Sequence, residues 1–248
     1  MNHTVTVKYV DAQAQLLRNL SYTGIPFVLG ETNSLYNQGK PGLSNAFGAA
    51  LWGIDFNLYC ASVGIRRVHM HMGTNYRYQS WQPVQTNITT RGTKPPYYGH
   101  IVVAAMMGNL KKENTRIANI RLEEDTEAAY AAYSNDRLSR IAIINLKQYN
   151  YTINGTSTEL NPVKRPAREY TINVPTGCGN SVEVQRLYAN GSDAISGISW
   201  DGLSYNWELD NGKPVRLQNV TSGETAKISD GSVKVGVLGS QAVILHFK

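Results

Sequence analysis

The chain has 248 residues, of which 42% are hydrophobic, and this composition excludes a disordered protein. No apolar run reaches the roughly 18 residues that a membrane span requires, so we expect no membrane partner. The net charge is +6, but the basic residues are dispersed, which argues against a nucleic-acid partner. A basic surface would suit an acidic substrate, although a solvated surface without a dedicated partner accounts for it as well.

The first 110 residues alternate between helical and extended patterns. Apolar residues at helical spacing are followed by short apolar runs, which is the order of elements around a parallel sheet. Ser44 is a candidate N-cap of the second helix and Gly64 a candidate stop. In chain order, the patterns predict a helix over Val5–Leu20, a strand over Phe27–Gly30, a helix from Ser44 to Gly64, a strand over Val68–Gly73 and a helix over Tyr98–Met107.

The pattern changes after about residue 110. Short apolar or alternating segments are separated by Gly, Asn, Asp and Pro turns, which indicates an antiparallel β-sandwich. We therefore expect two domains, 1–110 and 111–248. The predicted strands are 116–122, 137–146, 170–174, 182–188, 215–220, 233–237 and 242–247.

Glu31 is the first candidate for a catalytic residue. It ends the apolar run Pro-Phe-Val-Leu-Gly-Glu and is followed by a polar, glycine-rich stretch and then a helix. A (β/α)₈ barrel places its catalytic groups at such strand ends. The alternative is a surface glutamate that ends an ordinary strand.

The length of the first domain predicts only part of a barrel. A complete (β/α)₈ barrel takes about 250 residues, whereas residues 1–110 supply two strands and three helices. The expected fold is therefore the C-terminal portion of a TIM barrel, with its last two strands and their helices, followed by an antiparallel β-sandwich domain. Six strands would then lie upstream of Met1.

Two segments resemble a known enzyme family. Residues 27–52 include Phe-Val-Leu-Gly-Glu-Thr-Asn-Ser-Leu-Tyr-Asn-Gln-Gly, and residues 68–83 include Val-His-Met-His-Met-Gly-Thr-Asn-Tyr-Arg-Tyr. Both segments closely resemble glycoside hydrolase family 79, in particular its fungal β-glucuronidase branch. The resemblance continues, less distinctly, through the terminal β-domain.

This resemblance implies a retaining hydrolase that removes terminal β-linked glucuronic acid, or its 4-O-methyl form, from glycans. Retention needs a nucleophile and an acid/base carboxyl group, and the resemblance assigns the nucleophile to Glu31. We expect the acid/base residue upstream of Met1, because Asp55 and the 123–125 acidic cluster are better interpreted as solvated surface charges. The isolated chain would then have little activity. The alternative is a non-catalytic carbohydrate-binding or structural module derived from such an enzyme.

The resemblance also suggests which residues bind the substrate. Related glucuronidases hold the sugar carboxylate with tyrosine hydroxyls and backbone N–H groups of the loops after the last two strands. This implies roles for Tyr36, for Tyr76 and for the backbone of Asn75, with Tyr78 as a weaker candidate. Each tyrosine could instead pack in the loop.

Neither a metal nor a cofactor is expected. His69 and His71 share one strand, but two histidines are too few for a zinc site, so packing or hydrogen bonding at the barrel end is the simpler interpretation. Cys60 and Cys178, the only cysteines, cannot build a disulfide framework or a cysteine metal site. Trp81 could stack on a sugar or close the barrel core.

The localisation is predicted from N-glycosylation sequons, which are more frequent than chance would give. They suggest a secreted glycoprotein with a signal peptide in an upstream part, since the sequon is an acceptor signal in secreted proteins. The candidate acceptors are Asn2, Asn87, Asn150, Asn154, Asn190 and Asn219.

Overall fold

A computed structural model describes residues 1–155 and 158–247. Within these residues the chain forms four α-helices and fifteen β-strands. The helices are α1 (His3–Asn19), α2 (Phe47–Ser62), α3 (Pro95–Met107) and α4 (Trp207–Asp210). The strands of the first part are β1 (Val28–Thr32), β2 (Arg67–Met70), β3 (Trp81–Gln82) and β4 (Gly92–Thr93). None of the described helices has the length and apolar character needed to cross a membrane.

The first part contains a βαβ unit. Strands β1 and β2 pair in parallel, with Val28 opposite Arg67 and Leu29 opposite Val68, and α2 connects them. The short strands β3 and β4 form a separate antiparallel pair in the loop after β2. The predicted helix–strand alternation is therefore present in these elements, and the carboxyl ends of β1 and β2 lie side by side.

Helix α2 is buried because of its apolar stripe. Phe47, Leu51, Ile54 and Leu58 lie at helical spacing and are all fully buried, as the sequence pattern predicts. The helix ends at Ser62, and the left-handed φ of +92° at Gly64 carries the chain away from it.

The predicted N-cap of this helix is wrong. The helix begins at Phe47 and its cap position, Ala46, provides no side-chain hydrogen bond. The Ser44 hydroxyl instead accepts a hydrogen bond from the Lys40 backbone N–H within the preceding loop, at 3.0 Å. A serine side chain serves a turn as readily as a helix cap.

The second part is one curled antiparallel sheet. The strands are β5 (Thr115–Ile120), β6 (Glu127–Ser134), β7 (Arg137–Asn145), β8 (Ala167–Asn173), β9 (Ser181–Tyr188), β10 (Ser199–Trp200), β11 (Leu203–Ser204), β12 (Val215–Arg216), β13 (Glu224–Ser229), β14 (Ser232–Leu238) and β15 (Gln241–His246). The main path of the sheet runs β12-β11-β10-β9-β15-β7-β6-β5. Strand β13 pairs with both β9 and β14, and β14 also pairs with β8.

The central strands of this sheet are buried on both faces. Alternate residues of β6, such as Tyr130 and Ala132, pack against α2 and α3 in the first hydrophobic cluster. Their neighbours, such as Ala131, face β8 and β14 in the second cluster. Because successive strand residues point to opposite faces, β6, β7 and β15 join the helical part to the curled part of the sheet.

Asp55 is buried, so its interpretation as a solvated surface charge is wrong. It is 1% exposed. One carboxylate oxygen accepts hydrogen bonds from the Tyr130 hydroxyl at 2.6 Å and from His3 Nδ1 at 2.8 Å. These partners come from β6 and α1, which the sequence pattern does not place beside α2. The 123–125 acidic cluster is exposed, as expected.

Candidate active site around Glu31

Glu31 lies near the carboxyl end of β1, and its side chain is 74% exposed. The next residue, Thr32, accepts a hydrogen bond from the His71 backbone N–H through its carbonyl oxygen, at 2.9 Å. This bond extends the parallel pairing beyond β2 and brings the first residue of the following loop beside Glu31. The two predicted site loops therefore start from adjacent positions.

His71 presents a ring nitrogen to the Glu31 carboxylate. The distance from His71 Nε2 to Glu31 Oε1 is 4.0 Å, longer than a hydrogen bond. The Gly73 backbone N–H donates to His71 Nδ1 at 3.2 Å. Since Nδ1 accepts this bond, the neutral ring carries its proton on Nε2, the atom that faces Glu31.

Two tyrosines hold the His71 ring. Tyr76 stacks on it, with ring centroids 5.0 Å apart and an interplanar angle of 26°. Tyr78 meets the same ring edge-on at 5.9 Å. A ring fixed on two sides keeps its nitrogen directed at the carboxylate, so the aromatic residues of this loop position His71.

Tyr78 is buried, and its hydroxyl donates to the Asn37 carbonyl oxygen at 2.7 Å. Burial first, and then the neighbouring Tyr76 and Glu31, raise the pKa of Tyr78. Because its single proton is held by the loop after β1, the hydroxyl links the two site loops. This is the packing alternative that the sequence left open, and a sugar contact for Tyr78 stays a prediction.

The other predicted substrate-binding residues lie on the same two loops. Tyr36 is 86% exposed and projects from the loop after β1. Asn75 has a left-handed φ of +73° and precedes Tyr76 in the loop after β2. The buried Oδ1 atom of Asn75 has no hydrogen-bond partner among the described residues. Their contacts with a sugar stay predictions.

A cavity of about 570 Å³ opens beside Glu31. It lies between α1, β1 and α2, and residues such as Tyr9, Trp52 and Phe56 form its apolar wall. Among the described residues that line it, Glu31 is the one carboxylate. This arrangement provides an exposed acid at the edge of a partly apolar cavity.

The two histidines of the 68–73 segment do not form a metal site. His71 contacts Glu31 and Tyr76, whereas His69 lines a separate crevice with Arg66 and His100. The described part of the chain contains no group of three or more His, Cys, Asp or Glu residues able to hold a metal ion. Cys60 and Cys178 are free thiols.

Trp81 is the first residue of β3 and is 41% exposed. Its ring meets Trp207 of α4 edge-on at 5.5 Å. The Arg91 guanidinium covers the Trp207 ring at 4.6 Å. Trp81 therefore connects the strand pair β3–β4 with Trp207 of the β-domain.

The candidate glycosylation acceptors differ in their surroundings. Asn2 caps α1, because its side chain accepts from the Val5 N–H at 3.0 Å, and Asn150 accepts from the Ser192 hydroxyl at 2.7 Å. Asn19 belongs to a further sequon, Asn-Leu-Ser, at the end of α1. The Thr156 of the Asn154 sequon lies outside the described residues. Of the six predicted acceptors, four are exposed: Asn87, Asn154, Asn190 and Asn219.

Sequence comparison finds a family match in the C-terminal part of the chain. Residues 129–244 match the model of the glycosyl hydrolase family 79 C-terminal beta domain. The β-glucuronidase of Aspergillus niger is 57% identical over 253 aligned residues, which cover 99% of this chain and 46% of that protein. The β-glucuronidase of Neurospora crassa is 47% identical, with 98% of this chain and 48% of that protein covered.

The resemblance to glycoside hydrolase family 79 is confirmed. It covers nearly the whole chain, and the chain spans about half the length of the curated relatives that it matches. Residues 129–244 resemble the family 79 C-terminal beta domain, and the strands form one curled sheet instead of the two separate sheets of the predicted β-sandwich. The barrel, the boundary at 110 and the roles of the site residues stay predictions.

Solved structures share this fold. A 4-O-α-L-rhamnosyl-β-D-glucuronidase from Fusarium oxysporum, in complex with Rha-GlcA, aligns with a TM-score of 0.78 at 23% identity, covering 99% of this chain and 49% of that one. A GH51 arabinofuranosidase from Xanthomonas axonopodis pv. citri aligns with a TM-score of 0.57 at 14% identity, covering 98% and 46%. At these identities the likeness concerns the fold alone.

Proposed function

We propose that this chain contributes the nucleophile-bearing part of a retaining β-glucuronidase, with Glu31 as the nucleophile. The observation that carries the proposal is the position of Glu31 at the carboxyl end of β1, with His71 Nε2 of the neighbouring loop 4.0 Å from its carboxylate. The similarity to two proteins named β-glucuronidase supports the choice of substrate.

The proposed scaffold is a (β/α)₈ barrel to which β1 and β2 supply the seventh and eighth strands. Both strands pair only with each other among the described residues, and Val28 of β1 is exposed, so each has an open edge. An open parallel pair with polar groups at its carboxyl end is suited to continuation by further strands.

The proposed chemistry is a double displacement. An oxygen of the Glu31 carboxylate attacks C1 of the glucuronide, the bond to the leaving-group oxygen breaks, and that oxygen takes a proton from an acid/base carboxyl group. Water then attacks C1, gives its proton to the same group and releases Glu31. That second group would come from the part of the barrel that precedes this chain.

The proposed substrate is a terminal β-linked glucuronic acid, or its 4-O-methyl form, on a glycan. Tyr36 and Tyr76 lie on the loops after β1 and β2 and provide hydroxyl donors for the sugar carboxylate, while Asn75 provides a backbone N–H. The exposed sequons support a secreted glycoprotein.

A chimeric enzyme tests this proposal. The matching C-terminal portion of the Aspergillus niger β-glucuronidase is replaced by this chain, and hydrolysis of an aryl β-glucuronide is measured. We expect activity that Glu31→Gln abolishes, and none from the isolated 248-residue chain. A folded but inactive chimera would favour the non-catalytic module, and activity that survives Glu31→Gln would refute the nucleophile.

A further inference from the structure

A second polar crevice lies between the site loops and the β-domain. It has a volume of about 240 Å³, below the roughly 300–1,000 Å³ of pockets for drug-sized ligands, so it suits one small polar group. We call it the junction crevice. Its lining includes Asn45 from the loop after β1, Arg77 and Gln79 from the loop after β2, Lys94 at the start of α3, and Asn206 and Glu208 from the β-domain.

Gln79, which lines the junction crevice, has a buried polar atom that lacks a partner. Gln79 is fully buried, and its Oε1 has no hydrogen-bond partner among the described residues. Its amide nitrogen is already engaged by Gln82. An unpaired buried acceptor costs about 1–3 kcal/mol, and a ligand hydroxyl would remove that cost if the Gln79 side chain turned its Oε1 toward the crevice.

Two cations from different elements converge on this crevice. Arg77 follows Tyr76, and Lys94 precedes the first turn of α3, whose dipole places partial positive charge there. The Lys94 ammonium donates to the Thr90 hydroxyl at 2.7 Å. Burial lowers the pKa of Lys94, and Glu208 opposes this change. The excess of positive charge favours an anion.

We propose that the junction crevice binds the carboxylate and a hydroxyl group of a uronic-acid unit other than the one that reaches Glu31. Arg77 and Lys94 would pair with the carboxylate, and Gln79 Oε1 would accept from the sugar hydroxyl. Glu208 lies on the same lining and disfavours ligands that carry several negative charges. The glycan context rests on the proposed function, whereas the binding itself does not require Glu31.

Calorimetric titration of the 248-residue chain tests this proposal. D-Glucuronate is the probe, with methyl β-D-glucoside and inorganic phosphate as comparisons. We expect glucuronate to bind more tightly than either, and Arg77→Met and Lys94→Met each to weaken it about 10-fold. Glu208→Gln should strengthen binding about threefold, a gain that a misfolded variant would not produce.

Any one of the following results would overturn the proposal. Phosphate binding as tight as glucuronate binding would show a general anion site. Glucoside binding as tight as glucuronate binding would show that Arg77 and Lys94 do not pair with a ligand carboxylate. Unchanged binding in Arg77→Met and Lys94→Met would place the ligand elsewhere, and absence of binding by a chain whose circular dichroism shows it folded would exclude the site. None of these results bears on covalent labelling of Glu31, which tests the proposed function separately.

Discussion

His71 Nε2 lies 4.0 Å from Glu31 Oε1, and the Gly73 N–H bond to Nδ1 fixes the ring proton of a neutral His71 on the atom that faces the carboxylate. A small movement would close this distance to a hydrogen bond. Such a bond would orient Glu31 for attack without taking its charge. His71 is therefore a positioning residue in the proposed mechanism.

His71→Phe in the chimeric enzyme should lower kcat about 10- to 100-fold, because a hydrogen bond to a charged group contributes about 1.5–3 kcal/mol. The phenyl ring preserves stacking on Tyr76, so KM should change little. Steady-state kinetics on an aryl β-glucuronide measures both values. His69→Phe is the control, since His69 lines a different crevice, and an equal loss of kcat in both variants would reject the positioning role.

Gly99→Ala should destabilise the protein by about 1–3 kcal/mol, because overpacking displaces close-packed backbone. A Cβ atom at Gly99 would lie 2.6 Å from the Ala50 carbonyl oxygen at the α2–α3 contact. Gly53→Ala in α2 is the matched control, since a Cβ there meets nothing within 4 Å. This substitution should raise the free energy of unfolding by about 0.5–1 kcal/mol, because alanine loses less conformational freedom than glycine when the helix forms. Urea unfolding measures the stability of both variants, and equal stabilities would contradict the close α2–α3 contact at Gly99.

Tyr130→Phe should reduce the free energy of unfolding by about 1–3 kcal/mol, since buried Asp55 loses a hydrogen-bond donor. Tyr133→Phe on the same strand is the comparison, because its ring rather than its hydroxyl contacts Arg116. Thermal unfolding should separate the two variants. A Tyr133→Phe loss as large as that of Tyr130→Phe would show that the Asp55 contact is not the cause.

Cys60 should resist alkylation in the folded protein. Burial, followed by the nearby Asp55 charge, raises the pKa of the Cys60 thiol to about 12, so little thiolate forms near neutral pH. Cys178 is only partly buried and should react first. Iodoacetamide labelling with peptide mass mapping measures both rates, and rapid modification of Cys60 in native protein would contradict its burial.

The same Cys60 shift predicts a loss of stability at alkaline pH. The unfolded thiol loses its proton near its ordinary pKa of 9.0, whereas the folded thiol keeps it to about 12. Above pH 9 the unfolded state therefore binds fewer protons, so the free energy of unfolding falls as pH rises. Cys60→Ala should flatten this slope in urea titrations between pH 8 and 10. An unchanged slope would show that the Cys60 thiol is not the cause of the alkaline loss of stability.

Local patterns predict the helices α1, α2 and α3 and the end of β1 well, because helical spacing of apolar residues and a strand-end carboxylate are properties of short segments. Strand β6, Glu127–Ser134, was missed: its alanines lack the β-branched signal, and the strand forms because both faces are buried between two hydrophobic clusters. Strand β13, Glu224–Ser229, was also missed, although its exposure alternates along the strand.

The geometry of the candidate site depends on contacts between separate elements, which the pattern of a short segment does not predict. Sequence placed Glu31 and the loop after β2 at one edge, but the direction of the His71 ring depends on the Gly73 N–H and on stacking with Tyr76. The burial of Asp55 likewise depends on His3 and Tyr130, which are distant in the chain. Such contacts arise only when separate elements pack together.

Covalent trapping of the chimeric enzyme with a fluorinated aryl glucuronide tests the nucleophilic role of Glu31 most directly. The fluorine slows release of the glycosyl–enzyme ester, so the labelled peptide can be isolated and mapped by mass spectrometry. We expect one ester, on the side chain of Glu31. A label on any other residue, with Glu31 unmodified, would contradict that role.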